Sequence, residues 1–245
     1  MNRMNRRFAV PFDPEYFARR TAAGDDFSPL AAFRHAYATN HWAGADSPSG
    51  PGASLEQTAV IRRALPELCE KLSVKSLLDL PCGDCSWMSA VNLGDMEYIG
   101  ADFVSEIIEG NARRTLPGQR DFRVLDLLTS PLPRADLVLC RDCLVHFSFA
   151  DIARAIGNLR ASRTTWLLTT TFPGQAENLD VRTGDWRPLD LQRAPFDWPE
   201  PVELINEACT EGGGLFADKS LGLWRLNDLP IWPETSGDQP ARSAE

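Results

Sequence analysis

Between Lys75 and Phe172 the chain alternates short apolar runs with segments of helical spacing. The apolar runs are SLLDL, YIGADF, FRVLDL, ADLVLC and WLLTTTF, and between them lie SWMSAV, SEIIEGNARR and DIARAIGNLR. That rhythm predicts βαβ units, hence a mostly parallel sheet with helices on both faces. ADLVLC and WLLTTTF are apolar without interruption, as strands covered on both sides must be. Upstream, EYFARR and SPLAAFRHAYA predict two short helices within residues 13–39, the second opened by Ser28 with Pro29 at its first helical position. SPSGPGAS (47–54) then breaks every period. SLEQTAVIRRALPELCEKL resumes helical spacing, with Ser54 and Gln57 placed as a capping box.

Beyond Pro173 the pattern loosens. Residues 174–201, rich in Trp, Pro, Arg and Asp, read as a long irregular loop, and loops of that length inside a compact domain are usually functional. VELINEACTEGG predicts a helix ended by glycines, LFADKSLGLWRL a closing strand or strand pair, and PETSGDQPARSAE a disordered tail. The organisation expected is one domain over residues 1–232, with an N-terminal cap and lid (1–56), a core (57–232) and a tail (233–245).

Composition narrows the function classes. The 245 residues are 43% hydrophobic and 24% charged, which fits an ordinary globular protein. Thirty-four acidic against 25 basic residues give a formal charge of −9, which argues against wrapping a nucleic-acid backbone. No window approaches 18 apolar residues, so no membrane span is expected, and the Arg-containing N-terminus lacks a signal-peptide core. A cytoplasmic protein is expected, its six cysteines reduced. Four of them form two C-x-x-C pairs, Cys82/Cys85 and Cys140/Cys143. A zinc site is set aside: 54 residues separate the pairs, and the first occupies a turn that a nucleoside would need. No metal is expected.

The chemistry sits at successive strand ends. LLDLPCGD runs a strand to Asp79 and turns through Pro81, Cys82, Gly83 and Asp84, so backbone N–H groups face the sheet's carboxyl edge. Twenty-three residues after Asp79, YIGAD ends in Asp102, placed to accept the hydroxyl protons of a ribose. A third strand ends VLDL, offering Asp126 and Leu127 to an adenine edge. No G-x-G-x-x-G is present, so a pyrophosphate would find too few glycines, and a nucleotide-dependent oxidoreductase is disfavoured.

LDLPCGD, YIGAD, VLDL and ADLVLC, in that order over about residues 75–172, resemble the class I S-adenosylmethionine-dependent methyltransferases. The family's D-x-G-x-G-x-G turn has Pro81 and Cys85 at its first and third glycines. NHWAGADSPSGPGASLEQT, RDCLVHFS, TGDWRPLDL and DKSLGLW add a narrower resemblance to a bacterial subgroup of these enzymes. The resemblance implies a Rossmann-like fold with a seven-stranded sheet, and S-adenosyl-L-methionine as cofactor. Asp79 would orient the methionine amino group, with Cys82, Gly83 and Asp84 in the cofactor turn. Asp102 would hold the ribose, with Phe103 beside the adenine, and Asp126 and Leu127 would meet the adenine edge. Cys140 or Arg141 would offer a carbonyl to the ammonium.

Methyl transfer asks the protein for alignment and for removal of the acceptor's proton. His146 is the candidate base, just past the fourth strand, and Asp142, four residues earlier, would orient its ring if that segment is helical. Trp42 belongs to the segment that would close over the cofactor. Arg141, Trp186, Arg187 and Lys219 would shape an acceptor pocket, with an anionic group as one candidate ligand. A small molecule or saccharide, methylated on oxygen or nitrogen by a monomer or homodimer, is expected. The rivals are an enzyme that cyclises or cleaves the cofactor without an acceptor, and a peptide or protein methyltransferase.

Overall fold

The computed structural model describes residues 10–115 and 120–231. The cap contains α1 (Tyr16–Ala22) and α2 (Pro29–Thr39), and α3 (Ala59–Lys71) leads into the core. There follow β1 (Ser76–Asp79), β2 (Glu97–Asp102), α4 (Ser105–Arg114), β3 (Asp121–Val124), β4 (Leu137–Cys140), α5 (Phe149–Ala161), β5 (Trp166–Thr171), β6 (Glu203–Asn206) and β7 (Ser220–Arg225). They form a seven-stranded sheet in the order β3-β2-β1-β4-β5-β7-β6. Among the described residues β1 to β5 run parallel to one another, and β7 runs antiparallel to both of its neighbours, β5 and β6.

Strand alternation sorts the apolar residues into two cores. Leu77, Leu137, Leu139 and Leu168 pack with Ile61, Leu65 and Leu68 of α3, while Leu78, Val138 and Leu167 pack with Ile152, Ala155 and Leu159 of α5. Helix starts follow local chemistry: Ser28 Oγ accepts the Ala31 N–H at 3.2 Å and Ser148 Oγ accepts that of Asp151 at 3.2 Å. Ser54 Oγ likewise accepts the Gln57 N–H at 3.2 Å. However, the expected capping box does not start the helix, because Gln57 Nε2 turns away to Thr210 Oγ1 at 2.6 Å and α3 begins only at Ala59.

Two other expectations are corrected. SWMSAV supplies only a 3₁₀ turn, Met88–Ala90. VELINEACTEGG is not a helix: its first half is β6, an edge strand pairing Glu203 with Leu223 through Asn206 with Ser220, and its end is a 3₁₀ turn, Glu211–Gly214. The tail expected over 233–245 lies outside the described residues.

The cap is fastened to the 182–187 segment. The Asp185 carboxylate accepts the Phe17 and Ala18 N–H groups at 2.7 and 3.0 Å, Trp186 N–H donates to Pro14 O at 3.0 Å, and Arg182 Nη2 to Phe27 O at 2.8 Å. Gly184 sits where α1 and α2 cross that segment. Its φ is +112°, and a Cβ there would lie 2.8 Å from Phe17 and 2.9 Å from Ala32, so no other residue fits.

Candidate active site

Parallel strands β1, β2 and β4 end side by side, and the cap and the 48–53 loop close over their carboxyl ends. The cavity between them is lined by residues of the cap, the 48–53 loop and these strand ends, a concave site of the kind that holds small ligands.

Asp79, the last residue of β1, is 3% exposed, and the Tyr98 hydroxyl donates to its Oδ2 at 2.7 Å. Burial pushes its carboxyl up to about 7, against the opposing pull of Tyr98. The next turn is tied to β2 by Cys82 N–H to Ala101 O at 2.8 Å, and Asn111 Nδ2 holds Gly83 O at 2.8 Å. Gly83 has φ +53°, and a Cβ there would meet Ser49 Oγ at 2.5 Å, so the lid loop packs directly on backbone. Ser49 Oγ also accepts the Asp84 N–H at 3.3 Å.

Asp102 ends β2 and is 5% exposed. Burial raises its carboxyl to about 6, while the N–H groups of Val104, Gly83 and Phe103 pull it down. Val104 N–H lies 3.0 Å from Oδ1. This buried carboxylate has no cationic partner among the described residues. Backbone N–H groups serve it, and its two oxygens have lone pairs enough to accept further donors, such as the two of a vicinal diol. Trp42 of the lid also lines the cavity and has a buried Nε1 without a hydrogen-bond partner among the described residues. Both features fit a bound nucleoside. Phe103, Asp126 and Leu127 continue the wall; the Asp126 carboxylate accepts Leu128 N–H and Thr129 Oγ1, each at 2.8 Å, within its own turn.

His146 lies in a 3₁₀ turn, Leu144–His146, with its ring against Trp42 (centroids 5.0 Å apart). Its Nδ1 is 3.0 Å from the Asp185 carbonyl, which fixes the N–H on that nitrogen and leaves Nε2 with a lone pair and no protein partner among the described residues. Burial lowers its pKa to about 4, the Asp185 carbonyl and Asp142 opposing, so the ring is neutral at pH 7. The expected Asp142–His146 hydrogen bond is therefore replaced. Asp142 has φ +51° rather than a helical backbone, and its carboxylate meets Lys219 Nζ at 2.7 Å and Arg141 at 3.2 Å. Despite burial, those two cations hold the Asp142 carboxyl well below its usual range.

Every predicted site residue lines the cavity except Cys140 and Arg187. The Cys140 carbonyl accepts Thr169 Oγ1 at 2.7 Å inside the sheet, which leaves Arg141 as the residue of β4's end that reaches the cavity. Arg187 is 1% exposed and donates to the carbonyls of Leu179, Leu144 and Phe147 at 3.0, 2.9 and 2.6 Å; it braces the loop around His146 and shapes no pocket. Tyr98, Asp185, Glu207 and Glu211 were not singled out from the sequence. Glu207 is 2% exposed and takes Arg141 Nε and Nη2 at 3.1 and 2.7 Å. All six cysteines are free thiols, and among the described residues no group of three or more His, Cys, Asp or Glu is arranged to hold a metal.

Comparison with solved structures matches this architecture. Human N-acetylserotonin methyltransferase in complex with S-adenosylmethionine aligns with a TM-score of 0.52 and 13% identity, over 89% of this chain and 60% of that protein. The methyltransferase domain of bacterial CtHen1 aligns with a TM-score of 0.51 and 13% identity, over 69% of this chain and 97% of that domain. No family model matches the chain, and no curated protein does. The fold is the Rossmann-like class I methyltransferase fold, with its sheet order of 3-2-1-4-5-7-6.

Proposed function

We propose that this chain transfers a methyl group from S-adenosylmethionine to an oxygen or nitrogen of a small molecule or saccharide. The observation that carries the reading is the pair of buried carboxylates, Asp79 and Asp102, at adjacent strand ends in one cavity. When bound, the cofactor supplies a methyl group already activated on a positively charged sulfur. Asp102 accepts the ribose hydroxyls, and Asp79 faces the methionine ammonium. A cation beside Asp79 draws its carboxyl back to the ionised form. Neutral His146, its Nδ1–H held by Asp185, presents Nε2 to take the acceptor's proton. The cap and lid exclude water from this transfer.

Calorimetric titration with S-adenosylhomocysteine tests the reading. Saturable binding is expected, and Asp102→Ala should weaken it at least tenfold; no heat with either protein would refute it. Incubation with S-adenosylmethionine alone separates out cofactor consumption, which would release product without an acceptor.

A further inference from the structure

The same cavity that holds Asp79 and Asp102 also carries an aromatic wall of distinct chemistry. Phe12, Phe172, Trp186 and Phe216 form it, with Trp186 centred 6.3, 6.4 and 5.3 Å from the other three rings in turn. Its polar end is a buried ion cluster. Arg141 is gripped by Glu207 through two nitrogens, and Lys219 lies 2.7 Å from Asp142 and 3.7 Å from Glu207. Both cations are thus matched by carboxylates. Glu211 also lines the cavity; its carboxylate has only the Cys209 thiol as hydrogen-bond partner, at 3.5 Å, and makes no ion pair among the described residues. Three carboxylates against two cations leave one negative charge in excess. His146 is 7% exposed and lines the same cavity, and its Nε2 has no hydrogen-bond partner among the described residues.

An anionic acceptor would meet three carboxylates here and, among the described residues, two cations already engaged by them, Glu211 acting on both cations through space, which disfavours the anionic candidate ligand. Aromatic walls with one spare carboxylate instead suit an organic cation, which gains from ring faces and charge together. Resting on the methyl-transfer reading and narrowing it, we propose that the acceptor is an amine on an apolar or aromatic body, which enters as its ammonium ion and is held by Glu211. The proton passes by way of His146 Nε2 to water. The freed nitrogen lone pair then forms the N–CH₃ bond as the C–S bond breaks, its electron pair going to sulfur and leaving a neutral thioether.

The test uses matched probes on the full-length protein saturated with S-adenosylhomocysteine: benzylamine, benzyl alcohol and benzoate, ranked by saturation-transfer NMR at pH 7. Benzylamine should bind at least tenfold tighter than benzyl alcohol, and benzoate should give no signal. Glu211→Gln should remove that preference without changing S-adenosylhomocysteine affinity, and Trp186→Leu should weaken benzylamine in a protein that still binds the nucleoside. Equal binding of alcohol and amine, binding of benzoate, or a Glu211→Gln protein that keeps the preference would each overturn the assignment. If the nucleoside itself fails to bind, the methyl-transfer reading falls, and this inference with it; if it binds and benzylamine does not, only this inference falls.

Discussion

Asp79 is held inside the protein by one hydroxyl, and its cost is visible in its titration. Its carboxyl is raised from 3.8 to about 7, so the fold favours the protonated form. That contribution is complete below pH 3.8 and is lost as pH rises through 7; over that span it amounts to about 4 kcal/mol of stability. Asp79→Asn should therefore make the ligand-free protein more stable than the parent at pH 8 and nearly equal to it at pH 4, by urea denaturation, while reducing affinity for the nucleoside. The opposite sign at pH 8 would mean that the carboxylate is compensated inside the free protein. For His146 the shift runs the other way. With a pKa near 4 its acid limb in kcat should fall near pH 4, not near 6.5, and His146→Ala should slow turnover by roughly 10²–10⁴-fold with S-adenosylhomocysteine affinity intact. Asp79 and Asp102 were legible in the sequence because a strand end is a local feature. Tyr98, Asp185 and Glu207 were not, since their partners lie 19, 167–168 and 66 positions away in the chain.

At the scale of elements, the buried strands announced themselves by uninterrupted apolar runs, whereas β6 did not. An edge strand with one open face carries little periodic signal, and VELIN continues into residues that extend a helical reading; only pairing with β7 decides. The cap shows the same dependence on distant chain. Helix α1 has no side-chain cap of its own, because Glu15 makes none, and the Asp185 carboxylate serves instead. Asp185→Ala would orphan two amide donors, one of them buried, at about 1–3 kcal/mol. The expected result is faster hydrogen exchange at Phe17 and Ala18 than in the parent, with partial rescue by Asp185→Asn, which keeps one acceptor oxygen. Unchanged exchange would show that the cap is seated by its aromatic packing alone.

For the molecule as a whole, the sheet order follows from the βαβ rhythm, yet the cavity does not follow from any one stretch. It is assembled from the cap, the 48–53 loop, three strand ends and the 211–219 segment, and only the fold makes them neighbours. Phe17 and Ala32 of the cap are fully buried against the rest. Separating cap from core would expose both and free the Asp185 carboxylate, so the two parts should unfold in one transition. A ligand that binds between them then stabilises both. At 100 times its dissociation constant, S-adenosylhomocysteine should contribute about 2.7 kcal/mol and raise the melting temperature by roughly 5–10 °C for a chain of this size. Differential scanning calorimetry should show a single peak that moves as a unit. Two peaks, of which the nucleoside shifts only the larger, would mean that the cap melts independently and that the site's roof is not part of the cooperative structure.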